Sequence, residues 1–523
     1  MGRRFWFPGG LRLPGHKAVS TAEPIRQTPV PDQLVIPLQQ HAGDSCRPTV
    51  TPGQRIERGA LLGWAEETGA HVHAPTSGEV LAVEPLPFPH PSGLSVVSVR
   101  MQADGEDRWS DALPEAIPHW RHCAPERLQQ RIQSSGLVGL GGAGFPTSTK
   151  LAAGHRHRID TLIINGVECE PWISCDQALM LQRPADIVEG AGILARAVEA
   201  RRLILALEDD KPACLQALRD ALDQCTGIAL ELIPVPARYP AGGERQLIQT
   251  LTGQEVPSGG LPPELGILCQ NVATAVAARD AVVHGHPLTS RVVTITGNAV
   301  TSPRNLEARI GTPMRQLIEA AGGYLGTPQR LVMGGPMMGF ALDSDTLPVI
   351  KTSNCLLVGD AALFPDPAPA MPCIRCGACA DVCPAQLLPQ ELYWHARARD
   401  PEPARSLGLF DCIDCGACAV VCPSHIPLVQ YFRYAKSELR AADHDRIAAE
   451  EARERYLQRQ QRLEREQAEQ EARRQQKKAA LKQRGEAVTA DPKAAKQATI
   501  QAAIARARQK KQLEQGLRED GEG

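Results

Sequence analysis

The chain has 523 residues and a nearly balanced charge, 57 Lys+Arg against 59 Asp+Glu, so no global field favours nucleic acid. No apolar run approaches the ~18 residues of a membrane-spanning helix. The start carries arginines and is cut by Pro8-Gly9-Gly10, which leaves no apolar core for a signal peptide. A cytoplasmic setting is expected. There, the 16 cysteines read as metal or redox ligands before disulfides.

In chain order, residues 1–33 form an N-terminal arm. Over 34–118, short β-type runs (LVIPL, GEVLAV, LSVVSVR) alternate with turns such as Pro52-Gly53 and Ser77-Gly78, which predicts a small all-β domain. Over 119–287, helical patterns alternate with short apolar runs (TLIIN, RLILALE, IALELIPV). That alternation predicts an α/β domain with strands buried on both faces. From 288 to 364, RVVTITG, a helix-like PMRQLIEAAGG and RLVMGG predict a small mixed β/α domain. Pro365 to Ala370 form a linker into a cysteine block within 365–435. The remaining 436–523 is rich in Glu, Arg, Gln, Lys and Ala, with a break at Asp491-Pro492. It favours a solvated helix or a disordered tail, because nothing there can bury a core. Its basic end, AAIARARQKK, offers contacts to a partner or acidic lipid, or is simply solvated.

The cysteine block carries the plainest chemistry. CIRCGACADVCP starts at Cys373 and CIDCGACAVVCP at Cys412, both C-x2-C-x2-C-x3-C-P, the run of bacterial two-cluster ferredoxins. Three thiolates two residues apart wrap one corner of a cubane, while the fourth faces the other cluster. One 4Fe–4S cluster then takes Cys373, Cys376, Cys379 and Cys422, and its twin takes Cys412, Cys415, Cys418 and Cys383. Tetrahedral zinc also accepts four thiolates, but zinc ribbons use cysteine pairs and need no duplicated run. The other eight cysteines lack ligand spacing and read mostly as small buried residues.

A second motif, GLGGAGFPTSTK from Gly139 to Lys150, precedes an apolar strand ending in Asn165. Its glycines free backbone N–H groups to approach a phosphate or a flat ring. An ordinary tight loop is the competing reading, and the spacing is not that of a Rossmann dinucleotide site.

The stretch resembles the NADH- and flavin-binding loop of the flavoprotein subunit of respiratory complex I, GRGGAGFPTG-x-K. Asn165 to Pro171 (NGVECEP) resembles that family's N-A-D-E-S-E-P. Tyr239 to Glu244 (YPAGGE), with Gln270-Asn271-Val272, resembles its Y-I-C-G-E-E and N-N-V. Nearly the whole chain resembles the C subunits of Rnf (Rsx) ion-translocating electron-transport complexes. The carriers are Phe7-Pro8-Gly9-Gly10 with Pro14 and Lys17, GLGGAGFPT, LIINGVECEP, GGPMMG at 334–339, the double cysteine run and the Ala/Lys/Arg/Gln-rich tail.

The resemblance implies a fold assignment: multidomain α/β and α+β, with a barrel-sandwich hybrid domain, an FMN/NADH-binding α/β domain, a soluble-ligand-binding β-grasp domain and a two-cluster ferredoxin-like domain before the tail. It implies non-covalent FMN and NAD(H) beside the clusters. Gly139, Gly141, Gly142, Gly144 and Lys150 would surround FMN, with Asn165, Glu168, Glu244 and Asn271 on the flavin. Phe145 would lie by the nicotinamide and Glu170 by the NADH ribose, which makes Phe145, Glu168 and Glu170 the catalytic candidates. Leu140, Val167 and Gly243 depart from complex I, where Arg, Asp and Glu stand. The implied partners are membrane and peripheral subunits of the complex, with ferredoxin as an indirect redox partner and no nucleic acid. The implied location is the cytoplasmic side of the inner membrane, held peripherally.

A hydride donor and a one-electron cluster need a two-to-one converter, which is the chemistry of flavin. A docking protein with a degenerate flavin site, or a hydrogenase diaphorase subunit, would share several of these motifs. Direction of flow and the ion moved are not legible. In the N-terminal β domain, no lysine lies between Arg55 and Val80, so a swinging-arm carrier is not expected. His71 and His73 share a face there and are a candidate metal pair.

Overall fold

The computed structural model describes residues 6–66, 68–488 and 492–519. The chain divides into two compact units, 1–437 and 438–523.

In the first unit, the all-β region builds a four-stranded antiparallel sheet from Gln33–Pro37, Ser95–Ala103, Gly78–Pro87 and Arg55–Ile56. Three short strands, Arg47–Pro48, Leu61–Trp64 and Val72–His73, form a second sheet. Inward residues Leu34, Ile36, Leu62, Val80, Val99 and Met101 are buried, as the period-2 alternation demands.

The α/β region centres on four parallel strands in the order Leu230–Val235, Arg202–Glu208, Thr161–Gly166 and Ile267–Asn271. Helices on both faces bury Leu and Ile on either side of it, which is why these strands read as continuous apolar runs. Proline at the first turn pre-sets the helices Pro125–Ser134, Pro184–Ala197 and Pro212–Gln224. The chain moves outward from Thr161–Gly166 in one direction and returns to place Ile267–Asn271 on its other side. The strand order thus reverses between these two strands, and the crevice beyond their carboxyl ends is where open α/β sheets bind ligands. Asn165 and Asn271, register partners, stand at that crevice.

A six-stranded sheet follows, ordered Arg26–Gln27, Arg304–Arg309, Ser290–Thr296, Cys355–Gly359, Arg330–Met333 and Phe340–Leu342, with the helix Met314–Ala320 and its own core. Its edge strand comes from the N-terminal arm, whose Arg26 and Gln27 pair with Leu306 and Glu307. The sequence offered no sign of this, since two polar residues carry no alternation. The cysteine block repeats one design. Gly377 and Gly416, both left-handed, start the short helices Ala378–Asp381 and Ala417–Val420.

The second unit is helical. The helix Leu428–Val488 runs into it and Pro492–Glu519 follows, so of helix and disorder the helix is found. From His444 onward every residue whose burial is described is exposed. Residues 489–491, around the expected break, lie outside the described residues. Among the described residues no helix is long and apolar enough to cross a membrane.

Candidate functional site

The Gly-rich loop rises above the Asn165–Asn271 crevice. Gly139 N donates to Phe145 O at 2.8 Å and Gly144 N to Gly139 O at 3.2 Å, closing the loop on itself. Gly141, Gly142 and Ala143 at its tip are exposed, and among the described residues no protein acceptor takes their N–H groups. Phe145 projects beside them, 41% exposed. Gly144 needs its hydrogen: φ is +63°, and a Cβ would sit 2.5 Å from Thr352 Cγ2.

Lys150 Nζ donates to Glu244 Oε1 at 2.9 Å and to Cys269 O at 3.0 Å. Asn165 Nδ2 donates to Gly242 O at 2.9 Å, and its Oδ1 accepts from Val167 N. Asn271 caps the helix Val272–Val283 by accepting from Ala273 N at 2.8 Å, while its Nδ2 donates to Asp176 Oδ2 at 2.6 Å. These polar groups line the crevice beneath a loop of open amides. That arrangement, with an exposed aromatic at its lip, fits a flat, phosphorylated flavin held without a covalent bond.

The two acidic candidates are used within the protein. Glu168 is buried; it accepts from Asp176 N at 2.9 Å and Gln177 N at 3.4 Å, and pairs with Lys17 at 3.3 Å. It therefore stabilises the N-terminus of the helix Cys175–Gln182. Lys17 also donates to the carbonyls of Glu168 and Ile173, each at 2.5 Å. Glu170 accepts from Met337 N at 2.7 Å and Met338 N at 3.0 Å, which ties it to the GGPMMG turn. Burial raises its pKa against the pull of those two amides.

The three departures also have places. Leu140 is buried, its N–H donating to Thr274 Oγ1 and its carbonyl accepting from Arg291 Nη2 at 2.6 Å. Val167 packs in a core with Phe7, Ile163 and Leu247. A Cβ on Gly243 would meet Gln246 Oε1 at 2.5 Å, so a larger residue there requires the Gln246 side chain to move.

Sequence reasoning missed Asp176 and Arg291. Both are buried, and both keep one polar atom, Asp176 Oδ1 and Arg291 Nη1, without a hydrogen-bond partner. Burial, helped by the Glu168 carboxylate, pushes the Asp176 carboxyl up to about 7. Glu168, Cys175 and Asp176 come together as possible ligand atoms, but Lys17 already supplies the cation there. A cavity of about 130 Å³ lies behind Leu140, between Arg58, Trp109, Arg183 and His286. Two of its arginines are paired, Arg58 with Asp107 and Arg183 with Asp186 and Asp280, and the third lining arginine is Arg291. His71 and His73 lie 6.4 Å apart, edge to face, and no third ligand joins them among the described residues.

In the cysteine block, a cavity is lined by Cys412, Cys415, Cys418 and Cys383. Those are the four thiols that the spacing rule assigns to one cluster. Burial raises Cys412 to about 12 and Cys415 to about 11; at Cys418 the charges of Cys412, Cys415, Cys383 and Cys379 add to burial. So many sulfurs crowded out of water are tolerable as thiolates only around a bound cation, and soft donors in this number suit iron–sulfur clusters. Cys373, Cys379 and Cys422 are half-buried and Cys376 is exposed. Tyr239, in the loop that carries Gly242, donates to Cys415 O at 2.5 Å and links the flavin-side loop to this block.

Comparison with known proteins follows this layout. Residues 5–106 match the RnfC barrel sandwich hybrid domain, 132–280 the Nuo51 FMN-binding domain, 292–341 the SLBB domain and 372–426 a 4Fe-4S dicluster domain. The C subunit of the ion-translocating oxidoreductase complex of Pseudomonas aeruginosa is 50% identical over 460 residues, 88% of this chain and 59% of that protein. Its counterpart from Cronobacter sakazakii is 46% identical over 505 residues, 97% of this chain and 63% of that protein. For Salmonella arizonae the identity is 46% over 508 residues, 97% and 73%. The chain thus spans about 60% of the length of the first two relatives. Among solved structures, an NAD+-reducing [NiFe]-hydrogenase in the H2-reduced state is similar at 22% identity and TM-score 0.47, over 60% of this chain and 62% of that one.

Proposed function

Because this chain belongs to the family of C subunits of the ion-translocating oxidoreductase complexes, we propose that it is the peripheral redox subunit of such a complex. It passes electrons between NAD(H), FMN and two 4Fe–4S clusters, and exchanges them with membrane-bound partner subunits that move ions. Ferredoxin is an indirect partner, and the chain sits on the cytoplasmic face of the inner membrane.

One observation carries the reading. The crevice of Asn165 and Asn271 and the cavity of Cys383, Cys412, Cys415 and Cys418 are linked through the 239–242 loop. Asn165 holds Gly242 at 2.9 Å, and Tyr239, in the same loop, holds the Cys415 carbonyl at 2.5 Å. When bound, FMN supplies the conversion between a hydride and single electrons. The chain's own residues do the positioning. Gly141, Gly142 and Ala143 offer N–H groups to negative charge. Gly139 and Gly144 shape the turn. Lys150 and Glu244, with Asn165 and Asn271, fix the crevice floor, and Phe145 covers its mouth for the nicotinamide. Glu170 and Glu168 serve by holding the 337–338 turn and the helix Cys175–Gln182 in place. Cys412, Cys415, Cys418 and Cys383 hold the cluster beside the flavin; Cys373, Cys376, Cys379 and Cys422 hold the farther one.

A second reading, a wire without a working flavin site, draws on the internal engagement of Glu168 and Glu170. One preparation separates the two. The anaerobically purified chain should carry about eight iron atoms and releasable FMN that NADH bleaches. Eight iron atoms without flavin or any NADH response would leave only the wire.

A further inference from the structure

The two cysteine runs are sequence twins, yet their surroundings differ sharply. In the second run, Ile413 belongs to the cluster built on Tyr239, Cys415 and Ala417, together with Leu11, Leu13, Met337 and, from the end of the first run, Val382. A Cβ on Gly416 would meet Met337 O at 3.1 Å, and Tyr239 reaches the Cys415 carbonyl. Asp414 is neutralised by Lys436 at 2.8 Å, with Arg433 at 3.7 Å. In the first run the matching positions are bare. Ile374 is 68% exposed, and Met371, just before the run, is 60% exposed. A Cβ on Gly377 would meet nothing within 4 Å. Among the described residues, no side chain reaches the Cys376 carbonyl and no carboxylate pairs with Arg375, the twin of Asp414.

The covered twin shows what such a face is for. What lies on the second run is the wall through which its cluster meets the flavin crevice: an apolar patch around the Cys-Ile-x-Cys turn, closed by polar contacts at the edge. The first run presents the same turn, the same glycine and the same isoleucine, with an exposed ligand thiol at Cys376. Isolated exposed apolar residues are ordinary, but Ile374 lies between two ligands of one cluster and repeats a position that is half-buried and packed in its twin, Ile413; Met371, like its twin Phe410 at 40%, is exposed beside it. The unpaired charge beside them is positive.

We infer that the face around Met371, Ile374, Arg375 and Gly377 is the docking surface for a separate one-electron redox protein, which presents an apolar centre and an acidic residue to meet Arg375. The inference rests on the chain being an electron carrier. The step is a bare electron transfer: the reduced cluster loses one electron, the oxidised partner gains one, and no bond or proton moves. Apolar contact excludes water between the centres, while the charge pair steers the encounter.

The test uses the full chain with its clusters and FMN, reduced with dithionite and freed of excess reductant, so that loading does not depend on NADH. Three oxidants compete for its electrons: ferricyanide, which needs no docking; plastocyanin, an acidic one-electron protein; and cytochrome c, a basic one. Ile374→Asp and Met371→Glu should each slow plastocyanin reduction about tenfold or more. Arg375→Glu should slow plastocyanin and quicken cytochrome c. Ferricyanide rates, iron content and cluster spectra should stay as in the wild type. Met371 lies outside the ligand run, so its variant answers even if Ile374→Asp perturbs a cluster. Unchanged plastocyanin rates in all three variants, with ferricyanide reduction intact, would overturn the docking inference alone. So would a wild-type dimer that Ile374→Asp dissolves, since a second copy would then own the face. A wild type unable to reduce ferricyanide would overturn the electron-carrier reading and the docking inference with it.

Discussion

Tyr239→Phe removes one oxygen atom and tests how the flavin crevice is joined to the clusters. The phenol is buried and donates to Cys415 O at 2.5 Å. Phenylalanine keeps the ring packed against Leu11, Met337 and Ile413, so no cavity forms. What is lost is the donor to a buried carbonyl, and leaving such a group unpaired costs about 1–3 kcal/mol. Burial, with the Glu170 carboxylate and the nearby thiols, lifts the phenol far above its ordinary range. It is therefore a neutral donor throughout, and the loss should be equal at pH 6 and pH 9. The assay is urea titration of the holoprotein, with cluster absorbance and flavin fluorescence followed separately, because a multidomain chain need not unfold in one step. Cluster bleaching should move to lower urea, while flavin release moves less. Electron exchange between flavin and clusters, by stopped flow, should slow together with that shift. If the variant bleaches at the wild-type urea concentration and exchanges electrons at the wild-type rate, the Tyr239–Cys415 contact does not join the two sites.

Three further perturbations follow from the site. Lys17→Met strands the buried Glu168 carboxylate and two carbonyls, and should cost about 3–5 kcal/mol, read as earlier flavin loss in urea. Asp176 has a folded pKa of about 7 against an ordinary 3.8. Between those values the native state holds a proton that the unfolded chain has released, so stability falls as pH rises through the window. The groups facing Asp176 are Glu168, Lys17, Arg291 and Asn271. Asp176→Asn should flatten that slope and gain on the wild type from pH 4 to pH 8, by up to roughly 4 kcal/mol at ~1.4 kcal/mol per unit; a difference constant with pH would contradict the assignment. Gly144→Ala forces φ +63° on a residue whose Cβ meets Thr352, a strain of about 1–2 kcal/mol. FMN affinity measured by fluorescence should drop while iron content holds.

What the sequence revealed was local. The cysteine spacing carries its chemistry in consecutive residues, and the Gly-rich loop and the apolar strands announce themselves the same way. The resemblance pointed to Asn165 and Asn271, and only the folded sheet, with its reversed strand order, sets them side by side. What stayed hidden depends on pairs far apart in the chain. Lys17 stood in the N-terminal signature with no stated role, because its partner Glu168 lies 151 residues away. Glu170 was read as lying by the NADH ribose; that its carboxylate also holds amides 167 and 168 residues on shows only in the fold. Leu140 looked like a loss of charge, and only the fold shows Arg291 arriving at its carbonyl from another sheet. The contrast between the twin cysteine runs was equally invisible, since identical glycines and isoleucines gain different neighbours only when the flavin-side loop folds over one of them.

On the proposed route, electrons reach the farther cluster through the one held by Cys412, Cys415, Cys418 and Cys383. Anaerobic mixing of NADH with the Cys383→Ala chain, followed by stopped-flow absorbance and freeze-quench electron paramagnetic resonance, tests it most directly. The flavin should still bleach, the Cys412-run cluster should be missing or altered, and the Cys373-run cluster should stay oxidised. Reduction of the Cys373-run cluster at the wild-type rate would contradict that route.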